Sequence, residues 1–249
     1  MSKRFVLAVA AFASVAAVFA APAIANHSWG KYHWARTANP FTVSLGDNFT
    51  STWDSYLNTA SSDWSLSSVL DSPVVAGGTS GSSCQPTSGR VEVCNAAYGA
   101  NGWLGQAQIW ITRRQHIAQG TAKMNDTYYS PGSKYDTQFW RGAVVCQEIG
   151  HTYGLDHQDE SGADLHTCMD YANNPDADNT HPNQHDYDQL VTIYSHLDRF
   201  DTTNALSTKP GNAPVHVARA DRIRSSTIAE TFADGSMRIT YVVWALPSA

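Results

Sequence analysis

The segment Val144–His157, VVCQEIGHTYGLDH, constrains the fold of this chain more than any other. Residues 147 and 151 stand four apart, so on a helix their side chains share one face about a turn apart and reach a single ion. Glu148 lies alongside, close enough to touch a water on that ion without ligating it. Gly154 accepts backbone angles that other residues avoid, and a turn there brings His157 back towards the same point. Two histidines and a neighbouring carboxylate at this spacing leave an open position for water, as a catalytic zinc requires.

The flanking patterns place this segment in an α+β fold. Apolar residues at Phe139, Trp140, Ala143, Val144, Val145 and Ile149 predict a helix from Thr137 that stops near Gly154. Upstream, PFTVSLGD (40–47) alternates like a strand, and Trp53, Tyr56, Leu57, Ala60 and Trp64 have helical spacing. VLDSPVVAGG then reads as a second strand. After a Ser- and Gly-rich loop come three strand-like segments, RVEVCNAAYG, GWLGQAQIWI and HIAQGTAKMND. The stretch from Asp159 to Gln184 has no periodicity and is read as loop. HDYDQLVTIYSHLDRF resumes a helix with Tyr187, Leu190, Val191, Tyr194 and Leu197 on one side. IAETF, a DG turn and SMRITYVVWA predict a β-hairpin beyond the main domain.

The first 25 residues have the form of a cleavable secretory signal: Lys3 and Arg4, a small apolar run, then Ala23-Ile24-Ala25. The division expected is therefore a signal at 1–25, a domain at 26–200 and a small extension at 201–249. A net charge of −6 without any basic run argues against nucleic acid or anionic lipid as a partner. The four cysteines permit three pairings in an oxidising compartment. Cys84 and Cys94 flank a short loop suited to a local disulfide. Cys146 and Cys168 would then pair and tie the motif helix to the segment carrying Met169, the alternative being free thiols that ligate metal.

The run Gln147-Glu148-Ile149-Gly150-His151-Thr152-Tyr153-Gly154-Leu155-Asp156-His157 resembles the zinc signature H-E-x-x-H-x-x-G-x-x-H of the metzincin endopeptidases. It departs from that signature at Gln147 alone. Met169 follows where that family has its Met-turn, and the order of elements over roughly residues 38–200 is similar to its catalytic domain. That domain has a twisted mixed sheet with an edge strand, an active-site helix, a Met-turn and a C-terminal helix. The resemblance implies a secreted zinc endopeptidase with one catalytic Zn2+ held by Gln147, His151 and His157. It gives Glu148 the role of general base and then proton donor. Met169 becomes the floor under the metal, and Tyr171 a contact to the metal or the oxyanion. The substrate implied is an extended peptide added to an edge strand, for which GWLGQAQIWI is the candidate.

Gln147 leaves two readings open. Its amide oxygen reaches as far as the distal nitrogen of histidine and is likewise neutral, but it is a harder and weaker zinc ligand, better suited to calcium or magnesium. Either the site survives with lower zinc affinity, or the fold persists as a secreted binding protein without its metal. His166 and His185 are candidate substitutes for the missing ligand. Asp176, Asp178 and Asp186 are candidate calcium donors, although their spacing is not that of an EF-hand.

Overall fold

The computed structural model describes residues 27–159, 161, 163–203, 213–222 and 224–245, and the expected signal lies outside them. In chain order the strands before the motif are β1 (His33–Trp34), β2 (Phe41–Thr42), β3 (Leu45–Asn48), β4 (Leu70–Asp71), β5 (Val74–Ala76), β6 (Val91–Ala96), β7 (Trp103–Ile111) and β8 (His116–Asn125). The helix α1 (Asp54–Trp64) lies between β3 and β4. After β8 come α2 (Gln138–Thr152), α3 (Gln184–Ile193), β9 (Pro214–Asp221), β10 (Ser225–Phe232) and β11 (Met237–Trp244).

Among the described residues nine strands form one mixed sheet. Its order is β5-β3-β6-β8-β7-β11-β10-β9, with β1 added parallel to β8. From β5 to β8 the strands run parallel, and from β7 to β9 each is antiparallel to its neighbour. The two helices α1 and α2 pack on one another. Leu57, Ala60 and Trp64, at helical spacing, are the buried positions of α1. Trp64 also donates from Nε1 to the Cys146 carbonyl of α2 at 3.2 Å, which satisfies its polar atom inside the core. Among the described residues no helix is long and apolar enough to cross a membrane.

Two disulfides, Cys84–Cys94 and Cys146–Cys168, match the expected pairing. PFTVSLGD forms two short strands rather than one, as does VLDSPVVAGG. The last helix is shorter than the periodicity suggests, ending at Ile193. Beyond it Asp198 is drawn to Arg36, by a backbone bond to the Arg36 carbonyl at 2.9 Å and an ion pair at 3.1 Å. Those bonds turn the chain away from the helix axis, and Leu197 is left exposed.

The expectation that GWLGQAQIWI is an edge strand is corrected. That segment is β7, and it has a neighbour on each side: β8, and β11 paired antiparallel from Met237↔Ile111 to Trp244↔Trp103. The physical reason lies in the sequence of β11. Ile239, Tyr241 and Val243 are buried on one face while Thr240 and Val242 are buried on the other, as in a strand covered on both sides. The strands read as an extension therefore join the main sheet, and the exposed edge is β9, along which every residue is exposed.

Candidate metal centre

Thr137 caps α2 by accepting a hydrogen bond from Trp140 N at 3.2 Å. The far end of the helix breaks at Gly154, whose φ is +93°. A Cβ there would lie 2.5 Å from the Tyr32 carbonyl oxygen, so both the backbone angle and the close approach require glycine. The break returns the chain so that His157 meets His151, with the two Nε2 atoms 3.0 Å apart. His151 donates from Nδ1 to the Leu155 carbonyl at 2.9 Å, which leaves its Nε2 as the lone-pair nitrogen. Tyr171 brings its hydroxyl to 2.6 Å from His157 Nε2.

Glu148 is fully buried between α2 and β7, where Gly105 leaves room for its carboxylate. Neither carboxylate oxygen has a well-formed hydrogen bond. Burial pushes its pKa well above the usual carboxylate value, and the Ala107 amide offsets this only in part. Burial also lowers both histidines, helped at His151 by the facing His157 and opposed at His157 by Asp156. The centre therefore holds two neutral imidazoles and a buried carboxyl group approached by the Ala107 amide. This donor chemistry fits a zinc ion.

Gln147 is placed differently from a plain ligand. Its amide nitrogen donates to the carbonyls of Cys168 at 2.9 Å and Asp170 at 3.0 Å, bracketing Met169. Both partners are acceptors, so the NH2 must point at them and only Oε1 remains for a metal. Beneath the helix a Cβ at Gly150 would come within 2.6 Å of Met169 Sδ and 2.7 Å of Trp64 Cζ2, so Met169 packs where the motif has no side chain. The Cys146–Cys168 bridge ties the same two segments.

The remaining candidates lie elsewhere. His166 is exposed, 3.5 Å from Asp178 and 3.8 Å from Asp164. His185 stacks on His27, ring centroids 4.8 Å apart. Asp186 is buried whereas Asp178 is exposed, and with Asp176 they form no metal-sized cluster among the described residues.

Sequence reasoning did not find what covers the centre. Tyr241 of β11 lies flat on His151, and Trp29 closes on Tyr241 edge-on at 5.4 Å. Arg224, just before β10, reaches the carbonyl of Ala172 at 2.9 Å and Asn173 Oδ1 at 3.2 Å, so the C-terminal strands also hold the loop after Tyr171. His151 and Glu148 are wholly inaccessible and His157 nearly so. The cavity beside Gln147, lined also by Trp140, Tyr171 and Arg224, is about 20 Å³, room for about one water. The available signal was the apolar run Tyr241–Trp244 in β11, which suits an inner strand better than an isolated hairpin.

No protein-family model matches the chain, and no curated protein matches it. Among solved structures it is similar to myroilysin, with a TM-score of 0.38 and 12% identity over 65% of this chain and 96% of that one. It is also similar to high choriolytic enzyme 1, a hatching-enzyme zinc-protease from the medaka fish Oryzias latipes. There the TM-score is 0.36 and the identity 10%, over 66% of this chain and 94% of that one. At these values the likeness assigns neither fold nor activity, and the chain's own side chains decide the reading.

Proposed function

We propose that this chain is a secreted zinc-dependent endopeptidase whose own C-terminal strand lies across its catalytic centre. The observation that carries the reading is the convergence of His151 Nε2 and His157 Nε2, 3.0 Å apart, with the Glu148 carboxylate fully buried on the same helix as His151. His151 and His157 would hold the metal, with Gln147 Oε1 or the Tyr171 hydroxyl as third donor. Zinc, when bound there, supplies Lewis-acid polarisation of the scissile carbonyl and of a water. Glu148 would serve as the base towards a water and then as the proton donor to the leaving amine. The Tyr171 hydroxyl, 2.6 Å from His157 Nε2, would donate to the oxygen that becomes negative. A peptide substrate would pair with β7, the position β11 holds in the covered form.

A second reading draws on Gln147, whose amide serves the Met169 turn by two hydrogen bonds. On that reading the fold is a secreted binding protein that has exchanged a zinc ligand for a structural clamp. Zinc per chain and hydrolysis of a random peptide library separate the two. They are measured on the full chain and on one lacking residues 213–249, each with and without Glu148→Ala. Zinc uptake with hydrolysis that Glu148→Ala abolishes is the expected result. Folded protein of both lengths with no hydrolysis above the Glu148→Ala background would remove the peptidase.

A further inference from the structure

A second cluster of ligand-type atoms lies where the N-terminal segment meets the start of α3. His27, His185 and Asp186 each offer one atom, all within 4.8 Å of one another. His27 Nε2, His185 Nδ1 and Asp186 Oδ1 are each buried with no hydrogen-bond partner among the described residues. His27 Nε2 and Asp186 Oδ1 stand 3.5 Å apart, and both side chains are essentially inaccessible. Two ligands about 2.0–2.1 Å from a tetrahedral ion are separated by roughly 3.4 Å, so this spacing is that of two neighbouring ligands.

The other atoms of these side chains are accounted for. His27 Nδ1 donates to the Asp156 carbonyl at 2.9 Å, which makes Nε2 the lone-pair nitrogen. Asp186 Oδ2 closes the capping box of α3, accepting from Asn183 N at 2.8 Å, and also accepts from the Thr167 hydroxyl. Helix capping therefore explains one oxygen of Asp186 and leaves the other aimed at two imidazoles. A ligating histidine whose second nitrogen donates to a backbone carbonyl, and a ligating carboxylate hydrogen-bonded through its other oxygen, are the usual outer supports of a metal site. Burial, its main influence, holds the His27 pKa down at about 4, so the ring brings no positive charge to the carboxylate at neutral pH.

We propose that His27, His185 and Asp186 form a second metal site, separate from the motif pair, that binds a borderline divalent cation of the zinc class. Two imidazole nitrogens and one carboxylate oxygen select such an ion over calcium or magnesium, which take oxygen ligands. Its role is structural. Ser28 bridges to Leu155, and Trp29 N donates to the Gly154 carbonyl at 3.0 Å, so the segment held by this ion lines the turn between His151 and His157. An ion here would fasten the N-terminal segment to α3 behind that turn. The proposal stands whether or not the motif pair binds zinc.

The test is zinc stoichiometry and melting temperature on the mature full-length chain, stripped with chelator and dialysed against Zn2+ alone. The wild-type chain takes up two ions if the motif pair also ligates and one if it does not. In either case His185→Ala removes one ion and lowers zinc affinity at this site at least about tenfold, whereas His157→Ala leaves the site filled. His185 is only partly buried and its loss leaves the capping box intact, so this variant is expected to fold; Asp186→Asn gives a second loss of the same ion. A zinc-dependent rise in melting temperature, present in His157→Ala and absent in His185→Ala, is the matching readout. Equal zinc content and equal melting shift in wild type and His185→Ala would overturn the site, as would a His157→Ala chain that takes up no zinc.

Discussion

Tyr241 stacks on His151 with ring centroids 4.2 Å apart and planes 3° from parallel. A residue of the last strand thus rests on the histidine of the motif helix, and β11 is the strand paired with β7 on the side away from β8.

Tyr241→Ala removes the largest side chain that β11 sets on the centre. It is 1% exposed, so the cavity left behind is expected to cost about 3 kcal/mol of stability, as for other large-to-small changes in a core. If β11 restrains the centre, the same change increases peptide turnover by the full-length chain at least several-fold at temperatures where it stays folded. Chemical denaturation and a quenched-peptide assay on one preparation read both effects.

Gln147→His is expected to move two quantities in opposite directions. Imidazole is the stronger zinc donor, so zinc affinity rises. The carbonyls of Cys168 and Asp170 lose their shared amide donor, and the metal-free chain loses about 1–3 kcal/mol. Melting curves in chelator and in excess zinc measure the two separately. An unchanged metal-free melting temperature would show that the amide does not hold the turn.

Gly150→Ala tests the packing beneath the motif. The new methyl would meet Met169 Sδ and a ring carbon of Trp64, both closer than a Cβ tolerates, and the overpacking is expected to cost about 1–3 kcal/mol despite alanine's better helix propensity. A gain in stability would mean that Met169 moves freely away from the helix.

Glu92 links the loop after β5 to the sheet. Arg90 pairs with its Oε1 at 2.6 Å, and Asn48 donates to Oε2 at 2.7 Å. Burial is the largest influence on its pKa and acts upward, but hydrogen bonds from Thr87, Asn48, Gly78 and Arg90 together hold it below its ordinary value of 4.5. A depressed folded pKa stabilises fully above the unfolded value, and that contribution fades as the pH falls through the lower folded one. Glu92→Gln is therefore expected to lose about 1–3 kcal/mol at neutral pH, with the difference from wild type shrinking below about pH 4. A constant difference across the acid range would rule out ionised Glu92 as its source.

Much of the site was legible in the sequence because its geometry is local. The apolar spacing of α2, the left-handed turn at Gly154 and the meeting of His151 with His157 all depend on residues within a few turns of one another. Gln147 was legible as an oddity but not in its use, since Cys168 and Asp170 come to it across a loop without periodicity.

The sequence by itself determined the motif helix, the return of His157 and the local Cys84–Cys94 bridge, because short-range backbone geometry leaves few alternatives there. Only the tertiary structure decided that β11 pairs with β7, that Tyr241 covers His151, and that His27 faces His185 and Asp186. Those contacts join segments far apart along the chain, and periodicity tells which faces are apolar without telling which partner buries them.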